Sequence, residues 1–215
     1  MREYTVIKTT NADVASGYAW EIAPSAQMDV APWGGGTYRP ASYGQLVCTE
    51  DAFWTHMVAT EKKANIRAKA SGIHPAVWED SAMELFFAPL PELDPRYVNL
   101  ELNTCGAVYI GVRPNRAEGR LLTETDINIF QIKNTMEETG EDGMVRWTVT
   151  CRIPFFFLET HYGKHDFAAF ETMRGNFQKC GDQTPEPHLL VWNMIDWPEP
   201  DFHQPQFFGL FKAEK

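Results

Sequence analysis

The sequence predicts an all-β fold: an antiparallel β-sandwich of the immunoglobulin-like or jelly-roll type, with long irregular loops and one or two short helices. Three observations predict it. Much of the chain reads as short stretches in which apolar and polar residues alternate, the period-2 signature of a half-buried strand. Turn residues separate these stretches at short intervals. The length of 215 residues suits one large all-β domain and is enough to bury a core without disulfide or metal staples.

The elements follow in chain order. Glu3 to Lys8 alternates weakly. Gly44 to Cys48 and Phe53 to Glu61 read as two strands around a Glu50-Asp51 turn. In the second of them Phe53, Thr55, Met57 and Ala59 share one face, and Trp54, His56, Val58 and Thr60 the other. Ser81 to Ala88 is a further strand, stopped by Pro89 and Pro91, because proline cannot donate to a ladder. In Tyr97 to Asn103 the residues Val98, Leu100 and Leu102 face away from Asn99, Glu101 and Asn103. Cys105-Gly106 then turns the chain into Ala107 to Val112, a predicted hairpin. Asn128 to Lys133 and Met144 to Ile153 form another pair, joined through the acidic stretch Glu137 to Gly143. Trp147 alternates with Val149, Cys151 and Ile153, which assigns it to the core. Trp54, on the side of Val58, is a second candidate for burial.

Two regions depart from this pattern. Ala12 to Pro40 carries Trp20, Trp33, the Gly34-Gly35-Gly36 run and several prolines, and reads as irregular chain wrapping an edge. Ile153-Pro154 followed by Phe155 to Leu158 opens a short helix, since proline suits a first helical turn. From Phe170 onward, polar residues and prolines interleave with Trp192, Trp197, Phe202, Phe207 and Phe208. With no internal repeat, low-complexity tract or linker, residues 1–215 are expected to form a single domain.

Nineteen basic against 29 acidic residues leave a formal charge of −10. No net positive field exists to displace counterions, which argues against nucleic acid as a partner. No window reaches the eighteen or so apolar residues of a membrane helix. The first eight residues hold no apolar signal-type stretch, and the four cysteines fit no CxxC metal pattern. Those features predict a cytoplasmic protein with reduced thiols, or an extracellular one if the chain is a mature or excised domain. Fourteen Phe, seven Tyr and seven Trp exceed what a core requires, so some aromatics are expected to serve a surface.

The segment Val77 to Phe87 places Trp78, Glu79 and Asp80 just before a strand in which Glu84 points away from Met83, Leu85 and Phe87. If that strand pairs with Tyr97 to Asn103, Glu84 lies beside Asn99, Glu101 and Asn103. Such a polar row next to an indole can receive a sugar, with the ring covering its apolar face and the polar groups bonding its hydroxyls. The same pattern also describes a solvated outer sheet face with a packed tryptophan, and spacing alone favours that reading. A second set, Arg174, Asn176, Asp182, His188, Asp201 and His203, sits among aromatics. It could hold a transition metal or run acid–base chemistry. No HExxH, nucleophile elbow or phosphate-binding loop accompanies it. Glu79, Asp80, Glu84 and Glu101 are candidates for a glycosidase pair. Glu137 to Gly143 is acidic enough for Ca²⁺ but lacks the EF-hand spacing, and reads as a solvated hairpin tip.

Trp78-Glu79-Asp80-Ser81 with Glu84-Leu85-Phe86-Phe87-Ala88-Pro89 resembles a segment of the carbohydrate-binding module family 9-like (DOMON-like) domains. Tyr97 to Asn103 with Gly106, and Trp147 through Ile153-Pro154, resemble that family's following strands. Arg174 to Asp182, His188, Trp192, Asp201 to Pro205 and Phe208-Gly209 resemble its closing signature. The ordered matches run from about residue 45 to 211. The resemblance implies a β-sandwich that binds a mono- or oligosaccharide without cleaving it, often with structural Ca²⁺. It implies a clamp of two tryptophans, Trp78 and Trp192, with Trp197 as a substitute. Glu79, Asp80, Asn103, Arg174 and Asn176 would be the polar contacts, and His188 and His203 complete the expected ligand-binding set. The alternatives are a metal-dependent or carboxylate-based enzyme acting on carbohydrate, and a sandwich that docks a protein partner.

Overall fold

A computed structural model describes residues 1–34, 36–121 and 124–214 of the chain, so Gly35 of the glycine run lies outside the described residues. Along the chain run β1 (Glu3–Lys8), α1 (Asn11–Ser16), α2 (Tyr18–Ile22), β2 (Ala26–Gln27), β3 (Ala41–Cys48) and β4 (Ala52–Lys62). Next come β5 (Ala82–Ala88), β6 (Tyr97–Asn103), β7 (Val108–Arg113) and β8 (Arg120–Leu121). The second half holds β9 (Lys133–Glu138), β10 (Met144–Pro154), α3 (Phe155–Tyr162), β11 (Thr172–Gly181), β12 (His188–Val191) and β13 (Gly209–Ala213).

These strands form two layers. The first runs β8-β7-β6-β5-β11-β13, with β12 also on β11; the second runs β3-β4-β10-β9, with β2 on β3. β1 joins them, pairing in parallel with β13 through Glu3 to Val6 and then with β3 through Ile7 and Lys8. The all-β sandwich expected from the alternation is what the chain forms. Its sheets are mixed rather than purely antiparallel, because β1 pairs in parallel on both sides.

The alternation read from the sequence sets the inner faces. Phe53, Met57, Met83, Leu85, Phe87, Leu100, Ile110, Trp147 and Val149 are all fully buried in one core cluster. Phe177 of β11 reaches across to β3, where a Cβ on Gly44 would lie 2.1 Å from its ring. Only glycine leaves room for that approach. Trp54 is buried too, in a smaller cluster with Ile7, Val14 and Val47 on the other side of the second layer.

Three expectations change. Ala12 to Pro40 is not wholly irregular: Thr10 and Asp13 form a reciprocal capping box that opens α1, and Gly17 closes it in a left-handed conformation. Asn128 to Lys133 is not a strand. A 3-10 helix spans Glu124–Phe130, sends Phe130 into the core, and delays β9 to Lys133. The long central strand β11 showed no alternation in the sequence because its inner face carries a charge. Lys179 is wholly buried 3.0 Å from Glu61 Oε1 of β4, and its ammonium also donates to the Cys180 carbonyl at 2.9 Å. Trp147 Nε1 donates to the same Glu61 oxygen at 2.8 Å. The two layers are thus joined by a buried ion pair as well as by apolar packing. Glu137 to Gly143 is the exposed tip of the β9–β10 hairpin, with Glu138 paired to Lys63. α3 starts after Pro154, as the sequence predicts.

Candidate functional site

The outer face of the first layer carries the polar row. Tyr109 of β7, Glu101 of β6, Glu84 of β5 and Gln178 of β11 stand directly opposite one another across four strands. The predicted neighbourhood of Glu84 and Glu101 is therefore formed. Loops rise around this floor and enclose a cavity of about 240 Å³. Trp33 comes from the N-terminal segment and Trp78 from the 3-10 turn Val77–Glu79. Phe202 and His203 enter from the C-terminal loop, and Arg116 and Asp182 from the rim. A second, more open depression of about 450 Å³ lies beside α3 around Glu159, Lys164 and His165. It lacks tryptophan and a buried polar floor, so the first cavity is the candidate.

Its aromatic walls are held from behind. Trp33 donates from Nε1 to the Trp197 carbonyl at 2.8 Å and leans on Phe202 with ring centroids 5.6 Å apart. Trp78 packs edge-on against Tyr109 at 5.7 Å and keeps 39% of its surface exposed. Its turn is tied to the chain after β11, where Asp182 N donates to the Trp78 carbonyl at 3.2 Å and Gln183 N to that of Glu79 at 3.1 Å.

The polar groups are unevenly satisfied. Arg113 is committed: Nε donates to Asn99 Oδ1 at 2.8 Å, Nη1 to the Arg116 carbonyl at 2.7 Å and Nη2 to the Tyr109 hydroxyl at 2.5 Å. Arg116 pairs with Asp201 at 3.3 Å. Glu84 accepts from the Cys180 thiol at 3.0 Å. Glu101 accepts from Asn99 Nδ2 at 2.7 Å through Oε1, while its buried Oε2 has no hydrogen-bond partner among the described residues. Burial raises the pKa of Glu101 to about 8 and that of Asp182 to about 6. Glu84 is pushed well above the usual carboxylate range by burial and then by the neighbouring Glu101. Two desolvated carboxyls on paired positions each resist ionisation, so both hold their protons near neutrality.

Of the nine residues singled out from the sequence, Trp78 and His203 line this cavity. His203 is positioned by the Tyr97 hydroxyl at 2.8 Å and packs on Phe86 at 4.7 Å; burial lowers its pKa to about 4. The others are placed elsewhere or serve its frame. Asp80 is wholly buried and bonds Arg67, the Lys69 and Ala70 amides and Asn103 Nδ2. Burial works to raise its pKa, but these hydrogen bonds outweigh it and hold the pKa below the usual range. Glu79 pairs with Arg67 at 3.3 Å. Asn103 Oδ1 accepts from the Cys105 and Ala107 amides and closes the β6–β7 turn. Asp80 and Asn103 are therefore turned into the protein rather than toward the cavity.

Asn176 exchanges two hydrogen bonds with the Asn193 backbone, at 2.9 and 2.8 Å. Arg174, on the same strand between Ala88 and Leu210, does not line the cavity. Trp192 corrects the expected clamp: it is 4% exposed in the core, edge-on to Tyr4 and tilted against Phe211. A Cβ on Gly209 would lie 2.4 Å from its ring, so the indole fills the space that this glycine leaves. Trp78 and Trp192 do not face each other across this cavity. Trp33, which the sequence reading left unassigned, lines the cavity together with Trp78.

His188, Asp201 and His203 do not gather as a metal centre. His188 is buried between Lys179 and Tyr38. Its Nδ1 faces the Glu186 carbonyl at 3.0 Å and must donate, so Nε2 accepts from the Lys179 ammonium at 2.9 Å. Burial and then Lys179 lower its pKa to about 3, which fits that neutral tautomer. Asp201 is occupied by the His203 amide, Gln204 and Arg116. Among the described residues no group of three or more His, Cys, Asp or Glu side chains is arranged to hold a metal ion. Among the described residues no helix is long and apolar enough to cross a membrane.

A family model described as carbohydrate-binding family 9 matches residues 18–213. Comparison with solved structures finds a "putative carbohydrate-binding protein" from Bacteroides uniformis ATCC 8492 at 28% identity and a TM-score of 0.82, covering 99% of both chains. It also finds a carbohydrate-binding module family 9 from Caldicellulosiruptor kristjanssonii in complex with cellotriose. That match has 9% identity and a TM-score of 0.59, covering 99% of this chain and 94% of that one. A module from the same organism in complex with glucose matches at 11% identity and a TM-score of 0.59, covering 99% and 96%. These two likenesses show the fold. A comparison with curated proteins finds no match.

Proposed function

Since this chain belongs to carbohydrate-binding family 9, we propose that it is a saccharide-binding domain whose ligand sits in the cavity on the outer face of the first layer. One observation carries this reading: aromatic walls from Trp33 and Trp78 stand over a buried polar floor in which Glu101 Oε2 has no partner among the described residues. An indole covers the apolar C–H face of a pyranose, and the floor takes its hydroxyls. The structural relatives in complex with cellotriose and glucose support the ligand class. Relative to the sequence reading, the aromatic pair becomes Trp33 and Trp78, and the polar contacts become Glu84, Glu101, Arg116 and Asp182.

Binding of this kind is expected at micromolar or weaker affinity, about −8 kcal/mol or less in magnitude. In titration calorimetry against mono- and oligosaccharides, Trp78→Ala and Trp33→Ala should each weaken binding by about ten-fold or more, roughly 1.4 kcal/mol. Full affinity in both variants would remove the cavity from consideration. A carboxylate-based enzyme is the second reading, favoured by the direct cross-strand pairing of Glu84 and Glu101. Release of new reducing ends from an oligosaccharide by the unmodified protein, lost in Glu84→Gln, would select it.

A further inference from the structure

We propose that the sugar recognised by this cavity carries a protonated amine, which docks on the Glu84–Glu101 pair. The inference rests on the saccharide-binding reading above and names the ligand class within it. It starts from the charges that face the pair. On β5 and β6 the two carboxyls stand directly opposite one another, 2% and 3% exposed. From β11 they meet Gln178 and the Cys180 thiol, both uncharged donors or acceptors. Lys179, the nearest lysine in sequence, turns to the other side of the sheet and is bound to Glu61. On β7, the guanidinium of Arg113 is engaged by Asn99, Tyr109 and the Arg116 carbonyl.

At the rim, Arg116 is matched by Asp201, Asp182 adds a further carboxyl, and burial disfavours the charged form of His203. The cavity therefore carries more acid than base, and the buried acceptor Glu101 Oε2 has no partner among the described residues.

A buried carboxylate is strongly disfavoured without a cation or several hydrogen bonds. A neutral hydroxyl satisfies one acceptor and leaves the two carboxyls repelling each other unless they keep a proton. An ammonium group on the ligand instead donates to both residues and takes the place of one of the two carboxyl protons. Binding then releases that one proton to solvent, and the single carboxylate formed is matched by the single ammonium. A metal ion is the other way to satisfy such a pair, but the described residues offer no third ligand group for it.

The test is calorimetry near pH 7 at low salt with three matched pairs: glucose, galactose and mannose, each beside its 2-amino derivative. The expected result is a preference of about ten-fold or more for the amino sugar in at least one pair. That preference should fall to within about two-fold in Glu101→Gln. A second measurement on the unmodified protein does not depend on that variant folding. In two buffers of different ionisation enthalpy, the amino sugar should show net proton release and the parent sugar none. Parent sugars that bind as tightly as their amino derivatives, with no proton release, would overturn the inference and leave the saccharide reading standing. If none of the six binds, that reading falls and this inference falls with it.

Discussion

Lys179→Met should cost about 3–5 kcal/mol of stability, lowering the melting temperature by roughly 10 °C for a chain of this length. The residue is wholly buried, and its ammonium holds Glu61, His188 Nε2 and the Cys180 carbonyl. It also lies 5.6 Å from the centre of the Trp147 ring. Removing it strands the Glu61 carboxylate in the core, where one oxygen keeps only the Trp147 indole and the other has no partner among the described residues. Much of the cost is that uncompensated charge rather than the worth of the pair. The double variant Lys179→Met/Glu61→Leu should therefore recover most of it. Chemical denaturation of the two single variants and the double variant measures this directly. A loss below about 1 kcal/mol in Lys179→Met would mean that the pair does not join the layers as described.

Trp192→Ala should destabilise by about 3–5 kcal/mol, the usual cost of emptying a large aromatic site in a core. Its ring fits between Tyr4, Phe211 and Gly209. Trp78→Ala should change stability by no more than about 0.5 kcal/mol, because that side chain is a partly exposed wall of the cavity. The two tryptophans that the sequence set in equivalent roles thus separate in one denaturation experiment. Equal, small effects would place Trp192 at a surface after all.

Where one face of a strand is apolar, the sequence and the structure agree closely. Tyr97 to Asn103 is a strand with the same bounds in both, and the pairing of Glu84 with Glu101 followed from it. Reading failed where packing is polar. β11 shows no apolar alternation because Asn176 and Gln178 are satisfied by backbone or neighbouring groups on one face, and Lys179 by an ion pair on the other. Trp192 has a legible signal of burial, since it shares the parity of Leu190, and both lie in the core. Trp33 had none. Its position depends on the Trp197 carbonyl and Phe202, contacts 164 and 169 residues away in the chain. Asp80 and Asn103 were selected as polar residues beside an indole, but they bond each other and the backbone instead. Residue type and spacing cannot distinguish a carboxylate that awaits a ligand from one that already has four partners.

Sugar is expected to bind between Trp33 and Trp78 on the outer face of the first layer. The seven indole N–H groups provide internal probes for it. In ¹H–¹⁵N spectra recorded through a saccharide titration, the resonances of Trp33 and Trp78 should move with the occupancy of the site. Those of Trp147 and Trp192, buried in the core, and of Trp54, buried beside α1, should stay in place. A saturable titration in which the indole of Trp78 does not move would mean that the sugar binds elsewhere.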